Sequence, residues 1–276
     1  MNEFITGERL QELCDAYCGT HDDFNYNPRI KSQVAKHKDL TTLKDAWNNP
    51  KIIFCYGHQL TLFMEKQRLF QNPYVLVSHN SDENITDKYQ VLLNSPNLLA
   101  MYAQNVCIDH PKLVFLPIGI ANSMWPHGNL YTLLDTQTMY AKTNDIYFQF
   151  NIHTNFRARY SCYQVISQKG FRFQETMNHG AYLRFLSTHK FAICPEGNGI
   201  DSHRIWECYY LGIIPIVLDS LFSRALRKML PCIVLNNWSD LDLHTCLSAY
   251  DSLALELIEK KKYLSLTYYK EKISQV

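Results

Sequence analysis

From Lys51 onward, apolar residues fall into short unbroken runs separated by stretches with helical periodicity. Ile52–Tyr56, Tyr74–Ser78, Leu98–Tyr102 and Leu113–Leu116 do not alternate, as expected of strands buried on both faces of a parallel sheet. Residues 1 to about 45 are more polar and only weakly periodic, and read as an extra N-terminal helical segment. Ile120–Thr143, with Pro126, Gly128 and many polar residues, reads as an interdomain connection. Strand and helix patterns then resume. Ile146–Phe150, Phe191–Cys194, Ile213–Leu218 and Cys232–Leu235 predict strands. Arg157–Ser167 (closed by Gly170), Tyr182–Thr188, Ser202–Leu211 (ended by Gly212), Ser223–Met229 and a tail from about Leu241 predict helices. Parallel neighbours need crossovers, usually helical, so two successive βα series predict an α/β chain of two Rossmann-like domains, 1–125 and 140–276.

Composition narrows the function. The 276 residues include 46% hydrophobic and 19% charged, an ordinary globular balance, and 27 basic against 26 acidic residues leave a net charge of +1. Such a chain has no field to hold a polyanion, which argues against nucleic acid as a partner. Most of the nine cysteines sit in apolar runs, as in Ile53-Phe54-Cys55 and Ala192-Ile193-Cys194, and read as buried thiols of a reducing compartment. With no leader pattern at Met1–Glu8 and no apolar run approaching a membrane span, the expected location is cytoplasmic. Cys14 and Cys18 are the only close cysteine pair and the eleven histidines are scattered, so no metal site is expected.

The chemistry concentrates between Phe191 and Asp219. A strand ends at Cys194, the loop Pro195-Glu196-Gly197-Asn198-Gly199-Ile200 follows, and a helix begins near Asp201 or Ser202, either of which is a capping residue type. That order aims backbone N–H groups and the positive helix end at the crevice beyond the strand, where a diphosphate is held in α/β proteins. On the helix, Ile205, Trp206, Tyr209 and Gly212 share a packing face, while His203, Arg204 and Glu207 fall on the opposite one. Arg204 is placed to pair with a phosphate and Glu207 to accept from ribose hydroxyls. The competing reading is an Arg204–Glu207 surface pair at i,i+3. Glu196 and Asp201 flank the glycines, where they either contact the donor sugar or only shape the loop.

The run Cys194-Pro-Glu-Gly-Asn-Gly-Ile-Asp-Ser-His-Arg-Ile-Trp-Glu207, followed by Gly212-Ile-Ile-Pro-Ile-Val217, resembles the signature of exostosin-like glycosyltransferases, closest to the short unanchored forms of bacteria and large DNA viruses. Ser78–Asp82 and Leu116–Gly119 extend the resemblance into the first half. It implies a GT-B architecture, two Rossmann-like domains facing each other across a cleft. It further implies an inverting transfer and a UDP-sugar co-substrate held by the C-terminal half, with no cofactor or metal required. Members carry xylose, glucuronic acid, galactose or N-acetylglucosamine to glycan or glycoprotein hydroxyls, so the sugar stays open. Thr154 and Asn155 would join Glu196, Gly197, Asn198, Gly199, Asp201, Ser202, His203, Arg204 and Glu207 around the donor. Arg159 would be the phosphate ligand, with Arg157 as the fallback.

An inverting transfer needs a base for the acceptor hydroxyl. The loop Ser78-His79-Asn80-Ser81-Asp82 follows a buried strand at the edge where such sheets place their sites, and offers Asp82 or His79, with His58 a weaker candidate. The competing reading is a plain turn. Phe115–Ile120 reads as cleft floor. Two other functions compete with transfer. A dinucleotide-dependent oxidoreductase would use Gly197-Asn198-Gly199, but Ser202 stands where the third glycine belongs. A non-catalytic nucleotide-sugar or glycan-binding protein could share the fold.

Overall fold

The computed structural model describes residues 3–47, 50–137 and 141–276. Strands β1 (Ala16–Gly19), β2 (His37–Asp39), β3 (Ile52–Tyr56), β4 (Tyr74–His79), β5 (Leu98–Ala103) and β6 (Leu113–Phe115) form one sheet in the order β2-β1-β3-β4-β5-β6. A second sheet has β7 (Asn144–Tyr147), β8 (His189–Ile193), β9 (Ile214–Leu218) and β10 (Ile233–Leu235) in the order β10-β9-β8-β7. Every pairing between these strands is parallel, with Phe54 opposite Val77 in the first sheet and Ile193 opposite Ile216 in the second. The continuous apolar runs follow from this: Ile53, Phe54, Leu76 and Val77, and in the second sheet Phe191, Ala192, Ile193 and Ile216, are fully buried. Each large side chain among them contributes on the order of 1.5–3 kcal/mol.

The chain divides into two compact units. One is Ile5–Met124 with Leu266–Val276, and the other is Trp125–Ser265 with Glu3 and Phe4. The last helix, Leu266–Ser274, thus belongs to the first unit and not with 140–265: Tyr269 and Ile273 are buried, and Tyr102 Oη donates to Lys272 O at 3.0 Å.

Residues 1–45 do contain helices, at Gly7–Glu12, His21–Tyr26 and Pro28–Lys31, but they also supply β1 and β2, which their polarity does not suggest. β1 lies between β2 and β3, with all four residues buried. Ala16-Tyr17-Cys18-Gly19 is short and contains two residue types with weak strand preference, so neither period shows. β2 is the polar edge tripeptide His37-Lys38-Asp39. The segment Ile120–Thr143 also holds more than a connection: a 3₁₀ turn at Pro126–Gly128 and a helix at Leu130–Thr136 that buries Leu133 and Thr136, while Thr138–Tyr140 lie outside the described residues. Seven helical residues are too few to display a period beside a proline and a glycine.

Phe115–Ile120 is core of the first unit rather than a lining. Leu116 and Ile120 are buried, and Ile120 N donates to Ile5 O at 2.8 Å. Between them Gly119 has φ +68, and a Cβ there would stand 2.3 Å from Ile5 O. Gly119→Ala combines a left-handed backbone, costing roughly 1–2 kcal/mol for an L-residue, with a backbone clash. The expected result is a loss of more than about 2 kcal/mol in urea unfolding, against an ordinary surface change of about 0.5 kcal/mol; a wild-type midpoint would show that the strand end moves freely.

Candidate functional site

The carboxyl ends of β7, β8 and β9 carry three loops that converge in the Trp125–Ser265 unit. Phe148–Asn155 follows β7, Cys194–Ser202 follows β8, and Asp219-Ser220 follows β9. They border a cavity of about 500 Å³ lined by Asn155, Arg157, Glu196, Asp219, Phe222 and Trp238 among others. This is the edge at which parallel α/β sheets bind ligands.

Asn155 ties two of the loops together. It caps the helix Phe156–Gln168, accepting from Ala158 N, and its Nδ2 donates to Gly197 O at 2.8 Å and to Glu196 Oε1 at 3.4 Å. Arg159, one turn into the same helix, donates from Nε to Glu196 O and from Nη1 to Asn151 O, both at 2.9 Å. Its Nη2 has no hydrogen-bond partner among the described residues and lies beside Gly197, where a Cβ would come within 3.3 Å of it. Gly197 therefore admits the guanidinium to the loop, and Gly197 N closes a tight turn onto Gly199 O at 3.1 Å. Thr154, Glu196 and Asn198 are exposed along this rim.

Arg204 is half-buried on the helix His203–Tyr210. It donates from Nη1 to Gln149 O and lies over two rings, 5.6 Å from the centroid of Tyr147 and 5.3 Å from that of Tyr182. Burial, and secondarily the nearby Arg204 cation, push the Arg159 guanidinium down to about 10. Two neighbouring cations, neither ion-paired with a carboxylate among the described residues, are groups with which an anion would pair favourably. Arg157 adds a third, exposed guanidinium on the cavity wall. The helix start contributes as well: Ser202 is its N-cap, and the Ser202 side chain makes no capping bond.

Two residues of the loop and helix serve differently from the sequence expectation. Asp201 is buried and its Oδ1 accepts from Trp206 Nε1 at 2.8 Å, so it braces the loop on the fully buried indole instead of facing sugar hydroxyls. Glu207 is buried too, and no surface pair with Arg204 forms. Its Oε2 accepts from Tyr182 Oη at 2.7 Å, and its Oε1 lies 3.1 Å from His179 Nε2. With both oxygens engaged, Glu207 is not presented to a ribose. Burial works against its charge, yet the bonds from His179 and Tyr182, with the Arg204 cation, hold the carboxyl below its usual range. Around it stand His203, half-buried in the helix's first turn, and His127, whose ring centroid is 6.2 Å from that of His179 and 6.3 Å from that of His203. Burial, then His203, lowers the His127 imidazole below its ordinary value, against an opposing pull from Glu207.

His179, Tyr182 and Gln149 join this arrangement without having been marked by the sequence. His179 and Tyr182 are spaced i,i+3 on one helix and meet Glu207 together, a signal present in the spacing but unreadable without its partner.

Asp82, His79 and His58 belong to the other unit. His79 is buried, with Nε2 3.0 Å from Pro117 O and Nδ1 3.2 Å from Asn80 Oδ1, so its ring is committed to structure. His58 pairs with Asp23 at 2.6 Å. Asp82 is exposed in a polar pocket with His58, Ser81, Glu83, Asn84 and Thr86. Among the described residues, no group of three or more His, Cys, Asp or Glu is placed to hold a metal, and no helix is long and apolar enough to cross a membrane. No disulfide joins the nine cysteines, eight of which are buried.

No family model and no curated protein matches the sequence. Among solved structures, the chain is similar to the pneumococcal O-GlcNAc transferase GtfA in complex with UDP and GlcNAc, at 11% identity and a TM-score of 0.35. The match covers 81% of this chain and 53% of that one, so the chain spans about half the length of its neighbour. What the site does has to follow from its own residues.

Glu207 also gives a pH-dependent expectation. A carboxyl whose folded value is lowered contributes stability that is present above its unfolded value of about 4.5 and is lost as pH falls through the lowered folded one. Glu207→Gln should cost about 1–3 kcal/mol at neutral pH, measured by urea unfolding. The gap to wild type should narrow below about pH 4.5; a gap that stays constant down to roughly pH 3 would mean that the charge is not what the site holds.

Proposed function

We propose that the chain is an exostosin-like glycosyltransferase of the GT-B class that takes a UDP-activated sugar, xylose among the candidates, and transfers it with inversion to a hydroxyl of a glycan or glycoprotein acceptor. The observation that carries this reading is Arg159 beside the Gly197–Gly199 turn, with the Arg204 cation nearby, at the carboxyl edge of the four-stranded sheet. When the bond from the sugar to the diphosphate breaks, charge develops on the departing phosphate oxygens. Guanidinium groups and a helix start that are already in position stabilise that charge without reorganising. The same groups supply the positive charge that a divalent ion supplies elsewhere, which is why the proposal needs no metal. The adjacent cavity, with Trp238 and Phe222 in its wall, offers apolar surface for a nucleoside.

Arg159 also discriminates against the oxidoreductase. A dinucleotide fold approaches the pyrophosphate with backbone through three glycines, whereas here the Arg159 side chain stands beside Gly197.

UDP should bind in the presence of EDTA, measured by calorimetry. Arg159→Ala should weaken binding by roughly 1.5–3 kcal/mol, the scale of a charge-assisted hydrogen bond, with circular dichroism unchanged. Binding that vanishes with chelator and returns with manganese would end the metal-free mechanism, and unaltered affinity in Arg159→Ala would end the assignment of the anion site. UDP binding without release of UDP from any nucleotide sugar would favour a binding protein.

A further inference from the structure

His179 opens the helix His179–Ser187, which is capped by Asn178 through a bond from Ala181 N at 3.0 Å. Its ring is anchored on one side only. The Glu207 carboxyl is held ionised and so can only accept, which requires His179 Nε2 to carry the proton of their 3.1 Å bond. In the neutral imidazole the lone pair is then on Nδ1. That nitrogen makes no hydrogen bond among the described residues, and the side chain remains 23% exposed. His79 shows the contrast: a structural histidine has both nitrogens engaged. The location is equally specific. Tyr182, which donates to the same carboxylate, lies under the Arg204 guanidinium, so a single side chain separates His179 from the anion site.

Resting on the glycosyltransferase reading above, we propose that His179 is the general base of the transfer and that Glu207 is its positioning residue. An acceptor hydroxyl gives its proton to Nδ1 as its oxygen forms the bond to the anomeric carbon. The bond from that carbon to the β-phosphate oxygen breaks, and its electron pair leaves with UDP. The imidazolium is stabilised by the Glu207 carboxylate, which stays ionised, and the proton passes to solvent. The arrangement is an oriented histidine with a buried carboxylate behind it, and it needs no residue of the Ile5–Met124 unit. The charged and titratable groups around the imidazole are Glu207, Arg204 and His203 on the helix behind it, Tyr182 and Arg184 on its own helix, and His127 on the turn before Leu130.

Water serves as the acceptor in the test, so that no glycan need be known. UDP release from UDP-glucose, UDP-xylose and UDP-N-acetylglucosamine is measured beside UDP affinity. His179→Asn should lower release by about 10²- to 10⁴-fold while UDP binds as in wild type. His179→Ala should regain activity with added imidazole, a rescue that a structural histidine would not show. Glu207→Gln should change the pH profile of kcat/KM and leave UDP affinity unchanged. Wild-type release by His179→Asn, loss of release in Asp82→Asn alone, no imidazole rescue of a His179→Ala protein that still binds UDP, or a wild type that binds UDP but hydrolyses none of the three sugars would each overturn the assignment. A wild type that does not bind UDP would instead remove the glycosyltransferase reading.

Discussion

An ionised carboxylate inside a protein needs donors, and the Trp125–Ser265 unit is arranged around supplying them to Glu207. Desolvating such a group costs several kcal/mol, so its neighbours are fixed by what it requires: a phenol from Tyr182, an imidazole N–H from His179, and the Arg204 cation nearby. Each of these is held by something else. Asn178 caps the helix that carries His179 and Tyr182, and Arg204 is bound to Gln149 O on the segment leaving β7. One buried charge thereby ties together the segment after β7, the helix before β8 and the helix after the glycine loop.

The arginine pair follows a different logic. Like charges in a partly buried setting raise the energy of the unliganded protein, and no carboxylate forms an ion pair with either arginine among the described residues, although Glu196 and Glu207 lie near enough to favour the two cations. The Arg159 guanidinium gives two of its donors to backbone carbonyls of neighbouring loops, which fixes its direction and leaves its charge in place. A group constrained in that way is preorganised: an arriving anion finds donors already aimed and loses less conformational entropy on binding. Aromatic faces under both guanidiniums, Phe150 for Arg159 and Tyr147 with Tyr182 for Arg204, keep them in place at little desolvation cost.

Strands buried on both faces are legible in the sequence because a short unbroken apolar run bounded by turn residues fits little else. The glycine loop with its following helix is legible because residue type and chain order both mark it. What escapes is whatever depends on a distant partner. β1 is too short and too mixed in composition to announce itself, and it is a strand because β2 and β3 pair on either side of it. Helical spacing puts Glu207 with His203 and Arg204 on a face that spacing alone reads as open. Angle around a helix does not say what packs there, and the helix His179–Ser187 covers that face in part. His79 follows a strand at an edge where sites occur, but its environment is set by Pro117 and Asn80, one of them 38 residues away.

The two sheets end in polar edges of opposite character. Around Asn80 in the Ile5–Met124 unit the polar groups satisfy one another: Glu8 accepts from Asn27 and Ser123, Asn80 is held by Gln11, Gln104 and Asn122, and the Gln11 amide donates to Tyr56 and accepts from Asn80. Asn80 even adopts φ 58 to take part. A network closed in this way rigidifies a fold and offers little to a ligand. At the edge of β7, β8 and β9 two groups are left open among the described residues, a guanidinium nitrogen of Arg159 and the Nδ1 of His179. An uncommitted polar group lowers stability unless something fills its bonding capacity, so a protein that keeps such groups gains nothing from them until a ligand arrives. That contrast is why the proposed transfer is assigned to residues of the Trp125–Ser265 unit.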